Sequence, residues 1–188
     1  MDERVNDNSG QAIAAGAIEV RVSDISQLFD TLDPFPFPDR DLDKDAEEFI
    51  VGWARELPRD HPLKIVLHMP ASEIKKCDLK AVGESMNRYF GYRVGVIERD
   101  LRELFRVGRL SLAIGVGVLA LALLITQMIA GLFTEMPVGR FFEESLIIVA
   151  WVANWRPIEI FLYDWWPIMR RRNLYRRLAQ APVELKAY

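Results

Sequence analysis

The feature of this sequence that most restricts its fold is a run of 24 residues, Leu110 to Phe133, without a charged side chain. A second apolar stretch follows from Phe141 to Tyr163 and contains Arg156 and Glu159. The hydrocarbon core of a bilayer is about 30 Å thick and is crossed by roughly 20 helical residues. The two stretches therefore predict a transmembrane hairpin with spans near 110–133 and 141–163. The alternative is a pair of helices buried in the core of a soluble protein.

Basic residues on either side of this hairpin predict its orientation. Arginines precede the first span and follow the second, whereas the loop 134–140 contains only Arg140. The positive-inside rule then places both termini in the cytoplasm, as in a multi-pass membrane protein. Aromatic residues mark the level of the inner headgroups at Tyr163, Trp165 and Trp166. The flanking arginines are Arg93, Arg99, Arg102, Arg106 and Arg109 before the spans and Arg170, Arg171, Arg172, Arg176 and Arg177 after them.

The second span carries polar side chains that the first span lacks. The uncharged stretch between Glu144 and Arg156 is 11 residues, about 16 Å of helix, so some charge must enter the membrane region. Burying Arg156 with Glu159, which lies three residues on and is able to face it, costs less than burying unpaired glutamates. Pro157 removes a backbone donor and predicts a kink beside Asn154. We expect an intramembrane polar site at Asn154, Arg156 and Glu159, with either a functional role or a role in packing and depth alone.

The first span offers small residues at a spacing of four. Ser111 and Gly115 form one such pair, and Ala113 and Gly117 form another. Pairs of this kind allow two transmembrane helices to approach closely. We expect the second span, whose insertion by itself is close to neutral or unfavourable, to pack on these residues.

The sequence before the hairpin predicts a small α+β or α/β domain. Alternating apolar residues indicate strands at 18–22 and 63–68, and helical spacing indicates helices at 45–57 and from 79 onwards. Two strands are too few to be stable without other cover, which the long helix or a second copy in a homo-oligomer would supply. The predicted organisation is a disordered tail at 1–16, a cytosolic strand-helix-strand-helix domain at 17–108, the hairpin at 109–168 and a basic cytosolic tail at 169–188.

Charge is unevenly distributed along the chain, although the formal net charge is only -3. Residues 1–60 carry 15 acidic and 6 basic side chains, whereas residues 61–188 carry 12 and 18. A basic segment beside a membrane attracts the anionic headgroups of the lipid bilayer by about 1 kcal/mol per Lys or Arg. This attraction explains the asymmetry without nucleic acid, which we do not expect as a partner. The single Cys77 excludes an intrachain disulfide, and residues 1–16 contain no apolar signal-peptide core.

No catalytic or ligand-binding signature is found in the sequence. Alternating aspartates from Asp39 to Asp45 resemble a calcium loop, but Lys44 and Ile50 stand where glycine and glutamate are required. The two histidines have no second ligand at a metal-binding spacing. A nucleophile elbow and a phosphate-binding glycine loop are also missing. We therefore expect no enzymatic activity, no metal site and no cofactor.

A proline-rich loop indicates a protein partner instead. The segment 33–39, DPFPFPD, is extended because proline recurs at every second position, and it presents Phe35 and Phe37. With Trp53 on the following helix, these are the candidate partner-binding residues. The preferred hypothesis is a membrane-anchored scaffold or accessory subunit whose cytosolic domain binds a protein. The alternative is a small oligomeric transport or channel component in which Asn154, Arg156 and Glu159 line a polar path.

Three segments resemble a group of small, uncharacterised bacterial inner-membrane proteins with an N-terminal cytosolic domain. They are DAEEFIVGWAREL at 45–57, RLSLAIG at 109–115 and WRPIEIFLYDWWPIMRRR at 155–172. The resemblance covers most of the chain. It implies a bacterial origin and an inner-membrane location, and it implies no particular activity.

Overall fold

The computed structural model describes residues 16–30, 40–58, 61–74, 78–132 and 137–188. Almost all of the predicted N-terminal tail lies outside these residues, and so does the proline-rich loop with Phe35 and Phe37. The described residues form strands β1 (Ala17–Arg21), β2 (Lys64–Met69) and β3 (Val183–Ala187). The helices are α1 (Lys44–Glu56), α2 (Ala71–Ile74), α3 (Leu79–Leu132), α4 (Pro137–Glu159) and α5 (Trp165–Leu178), with a 3-10 turn at Ile25–Leu28 and a π-helical segment at Ile160–Asp164.

Asp43, in the acidic run before α1, caps the N-terminus of this helix. The Asp43 side chain accepts hydrogen bonds from the backbone N–H groups of Asp45 (2.9 Å) and Ala46 (3.4 Å). An aspartate at this position satisfies donors that the first turn of a helix leaves unpaired. The helix begins at Lys44, one residue before the predicted start, and ends where Leu57 turns extended ahead of Pro58.

The three strands form one parallel sheet in the order β1-β2-β3. In this register Ile18 lies beside Ile65, and Ile65 lies beside Val183. On one face of the sheet, Ile18, Ile65 and Leu67 are fully buried. Charged residues occupy much of the other face, where Lys64 Nζ lies 3.6 Å from a carboxylate oxygen of Glu184. The predicted mixed α and β domain is thereby confirmed.

The third strand corrects the predicted organisation. The segment 169–188 was expected to be a basic tail, but it forms most of α5 and all of β3. Strand β3 pairs with β2, and the Tyr188 N–H donates to the Met69 carbonyl oxygen at 3.2 Å. The cover that two strands lack is therefore supplied by the C-terminal part of the same chain.

The chain divides into two compact units. The first comprises residues 1–96 and 171–188, and the second comprises residues 97–170. In the first unit, side chains from α1, α3 and α5 are fully buried together with the apolar face of the sheet; Ile50, Met86, Phe90 and Leu178 are examples. The connection between β2 and β3 thus contains the whole of the second unit.

Two helices are long and apolar enough to cross a membrane. They comprise the apolar parts of α3 and of the continuous stretch from α4 to α5. Only 11% and 17% of the residues in their apolar windows are buried, whereas a helix in the core of a soluble protein is mostly buried. Large apolar side chains such as Leu110, Ile114, Ile148 and Val152 are each at least 60% exposed. Apolar exposure of this kind is found on surfaces that face lipid and on surfaces that bind other proteins.

Candidate functional site

Asn154 joins the two helices of the second unit. Its side-chain amide donates to the backbone oxygen of Gly115 on α3 at 3.1 Å and to that of Ala150 on its own helix at 2.8 Å. Pro157 has no N–H, so the carbonyl of Ala153 loses its usual helical donor. That carbonyl oxygen lies against Gly115, only 3.1 Å from where a Cβ on this glycine would stand. The side chain of Asn154 and the carbonyl oxygen of Ala153 therefore both lie against Gly115.

The contact surface on α3 follows a spacing of seven. Gly108, Gly115 and Ala122 are buried, and Ser111 is half-buried between the first two. A Cβ on Gly108 would lie 2.8 Å from the Ile160 Cγ2 atom. Small residues at this repeat allow two helices to pack closely along one seam.

The other predicted small-residue pair does not contribute to this surface. Ala113 is exposed, and nothing lies within 4 Å of a Cβ built on Gly117. Ala113 and Gly117 are each two positions along the helix from Ser111 and Gly115, and a step of two turns a side chain about 200° around an α-helix. The packing role therefore belongs to Ser111 and Gly115 and not to Ala113 and Gly117.

Arg156 belongs to a cluster of three charged side chains. Its Nη1 atom lies 3.2 Å from Glu159 Oε2 and 3.1 Å from Asp164 Oδ2. The Trp155 indole N–H donates to the other oxygen of Glu159 at 2.9 Å. The side chains of Arg156, Glu159 and Asp164 are 59%, 38% and 33% exposed. The cluster has a formal charge of -1, and each of its side chains is partly exposed at the surface of the helix.

The structure thus separates the residues of the predicted intramembrane site. Asn154 is directed at α3, whereas Arg156 and Glu159 interact with each other and with Asp164 on the exposed surface. The expectation that Asn154, Arg156 and Glu159 form one site is wrong in this respect. Asp164 is a member that the prediction missed, since it follows the expected end of the span at Tyr163 by one residue.

The first unit contains a second polar cluster, centred on the carboxylate of Glu47 in α1. One oxygen of Glu47 accepts from the Tyr175 hydroxyl at 2.6 Å and from Arg93 Nε at 3.1 Å. The other oxygen accepts from the Tyr89 hydroxyl at 2.7 Å. Glu47 is only 9% exposed, and Tyr175 is 3% exposed. The guanidinium groups of Arg93 and Arg171 lie 5.9 and 5.6 Å from the centre of the Tyr175 ring.

This environment changes the ionisation of the cluster. Burial by itself raises the pKa of Glu47, but the hydrogen bonds from Tyr175 and Tyr89 and the charge of Arg93 outweigh burial, so the pKa lies below its ordinary value. Burial and the hydrogen bond to Glu47 raise the pKa of Tyr89. Burial lowers the pKa of Arg93, but the charge of Glu47 and the interactions with Tyr175 and Tyr89 together outweigh burial, so the pKa is raised. The charged carboxylate of Glu47 and the neutral hydroxyl of Tyr89 are therefore the favoured forms.

Helix α1 also presents an aromatic pair at the surface. The ring centres of Phe49 and Trp53 are 6.1 Å apart, Phe49 is 44% exposed, and Trp53 is half-buried. Trp53 was predicted from the sequence as a contact residue, whereas Phe49 was not. Phe35 and Phe37, the other predicted contacts, lie outside the described residues.

Within the described ranges, no group of three or more His, Cys, Asp or Glu residues is arranged to hold a metal ion. The acidic residues before α1 that resemble a calcium loop include the cap residue Asp43 described above.

Comparisons of the chain with protein-family models, with curated proteins and with solved structures find no match. The resemblance to small bacterial inner-membrane proteins accordingly stays a prediction.

Proposed function

We propose that this protein is a non-enzymatic integral protein of the bacterial inner membrane. In this proposal α3 and α4 form the transmembrane hairpin, and the sheet-containing unit binds a protein partner. The observation that carries the proposal is the combination of two membrane-length apolar helices with the aromatic pair on α1, in which Phe49 is exposed and Trp53 is half-buried. Exposed aromatic side chains are enriched in protein-binding surfaces.

The pairing of β3 with β2 supports a cytoplasmic position for both termini. The two strands belong to one unit, and both apolar helices lie between them in the chain. A chain that crosses the membrane must cross it an even number of times before β3 pairs with β2. The arginines that flank both spans favour the cytoplasmic side for that unit.

Cysteine labelling in intact cells tests this topology. The experiment replaces Cys77 by serine and introduces one new cysteine, either Lys186→Cys in β3 or Glu135→Cys in the loop between the spans. We expect a membrane-impermeant maleimide to label Glu135→Cys in intact cells and Lys186→Cys only after lysis. Labelling of Lys186→Cys from outside would overturn the proposed hairpin.

Site-specific crosslinking in native membranes tests the partner surface. A photoreactive amino acid at Phe49 is expected to give a discrete crosslinked species that Trp53→Ala weakens. The same amino acid at Glu56, at the end of α1, serves as the matched control. If Phe49 gives no more crosslinked product than Glu56, this surface does not bind a partner.

The charged cluster at Arg156 favours the alternative, an oligomeric transport or channel component. Arg156 is exposed, and Glu159 and Asp164 are half-buried, so a polar path along them requires several copies of the hairpin. The double variant Arg156→Gln and Glu159→Gln would then abolish flux in liposomes. An inactive parent protein, or unchanged flux in the variant, would exclude this alternative.

A further inference from the structure

The second unit contains a positively charged groove that has no role in the proposed binding of a protein partner. We define the arginine groove by Arg99, Arg102, Arg106 and Arg109 together with Phe105 and Phe161. The arginine spacing of three, four and three places these four positions within about 80° of one another around α3. A single helix face therefore presents four guanidinium groups over three turns.

Two aromatic rings form the apolar part of this groove. Phe105 and Phe161 stack with ring centres 6.2 Å apart and an angle of 28° between their planes. Their approach depends on Gly108, because a Cβ there would lie 3.3 Å from the Phe161 ring as well as 2.8 Å from Ile160. The groove thus combines two stacked apolar rings with exposed cationic side chains.

The charge of the groove is only partly balanced by the protein. The one carboxylate that lines it, Glu103, lies 3.7 Å from Arg106, and Arg102 donates through Nε to the backbone oxygen of Glu98. Within the described part of the chain, Arg99 and Arg109 form no ion pair. By contrast, Arg156 on the facing helix is matched by two carboxylates. Four arginines against one glutamate leave a surplus of three positive charges in the groove lining.

The groove lies next to the exposed apolar surface of the hairpin. Leu110 follows Arg109 directly and is 63% exposed, and Leu112 and Ile114 are also exposed. A ligand that fits this arrangement carries a phosphate at one end and hydrocarbon at the other. Guanidinium groups bind phosphate oxygens with two parallel hydrogen bonds, which makes arginine well suited to such a ligand.

We propose that the arginine groove binds the headgroup phosphate of an anionic phospholipid, whose acyl chains lie along the apolar surface that begins at Leu110. This inference rests on the proposed membrane insertion. It adds to the general attraction between basic residues and anionic headgroups a particular site at which one lipid binds. Phe105 and Phe161 contact the glycerol and upper acyl region of the lipid. Protein binding through α1 is not required for it.

Native mass spectrometry of the full chain, released from nanodiscs of mixed zwitterionic lipid and phosphatidylglycerol, tests the proposal. The test variant is Arg102→Gln with Arg109→Gln, and the control is Arg170→Gln with Arg176→Gln, which removes the same charge outside the groove. We expect wild type and control to retain phosphatidylglycerol selectively. The groove variant should lose retention by about fivefold per arginine, equivalent to about 1 kcal/mol each.

The possible outcomes are distinct. Equal loss in both variants would show diffuse attraction to basic residues, and no loss in either would place the lipid elsewhere; both results overturn the proposal. Displacement of the lipid by inorganic phosphate would also overturn it, since the site would then serve a soluble anion. Circular dichroism and nanodisc incorporation are measured first for each variant. Failure of the wild type to enter nanodiscs would refute membrane insertion itself, whereas entry without selective retention refutes the groove alone.

Discussion

Gly115 is constrained by the helix that faces it. A Cβ at this position would lie 2.6 Å from the Asn154 side-chain oxygen and 3.1 Å from the Ala153 carbonyl oxygen. The second of these atoms belongs to the backbone and has little freedom to move. The absence of a side chain therefore makes possible both the hydrogen bond from Asn154 and the contact with the carbonyl that Pro157 leaves free.

We predict that Gly115→Ala destabilises the helical hairpin by about 1–3 kcal/mol, because the added methyl group forces the helices apart. Gly117→Ala is the matched control, since nothing lies within 4 Å of its new methyl group. Both substitutions change helix propensity alike, so the difference between them reports packing. The measurement is the free energy of unfolding in mixed detergent micelles; equal stability of the two variants would contradict the contact.

Helices α1, α3 and α5 are joined by one carboxylate. Glu47 in α1 accepts hydrogen bonds from Tyr89 and Arg93 in α3 and from Tyr175 in α5. The Tyr175 ring also packs edge-on against Phe90 at 6.1 Å between ring centres. A buried network of this kind is costly when one member is removed, because the remaining polar groups stay buried without partners.

We predict that Glu47→Gln destabilises the first unit by about 1–3 kcal/mol at neutral pH. Because the pKa of Glu47 is lowered in the folded protein, its contribution is present above the unfolded value and is lost as the pH falls through the folded value. The stability of wild type should therefore decline with acid below pH 4.5, and Glu47→Gln should show a shallower decline.

The control for this prediction is Glu48→Gln, which neutralises the exposed neighbouring carboxylate. Chemical unfolding followed by circular dichroism over a range of pH measures both variants. If Glu48→Gln and Glu47→Gln gave the same profile, the cluster would not contribute to stability.

Along the chain, a helical hairpin is inserted between two neighbouring strands of the parallel sheet, β2 and β3. Parallel neighbours cannot be joined by a tight turn and require a crossover connection. Here the connection from β2 to β3 contains α3, α4 and α5, so the second unit is an insertion within that crossover. Folding of the sheet therefore requires that the chain return from the hairpin.

We predict that Leu185→Ala destabilises the sheet by about 1–2 kcal/mol, because this half-buried side chain lies beside Leu67 on the apolar face. Lys186→Ala, on the exposed face, should be close to neutral. Amide hydrogen exchange in β2 measures the effect through the loss of protection at 65–69. Two neutral substitutions would mean that the C-terminal segment is not a strand of this sheet.

Local patterns in the sequence determined most elements of this protein. The alternation at 18–22 and 63–68 predicted β1 and β2 to within a residue or two, and the long uncharged run predicted a membrane-length helix. These signals are local because side-chain direction repeats every 2 residues in a strand and every 3.6 in a helix. The same alternation exists at 183–187, yet a five-residue signal after a basic helix does not show which strand it joins.

Only the tertiary structure decided which residues meet. Tyr175 lies 128 residues from Glu47, and no local pattern predicts that their side chains bond. The separation of Asn154 from the Arg156 cluster depends on which side of α4 rests on α3. The grouping of Arg156 with Asp164 depends on the path of the helix through the π-helical segment after Pro157. Contacts between distant elements follow from how the elements pack, and packing is a property of the assembled surfaces.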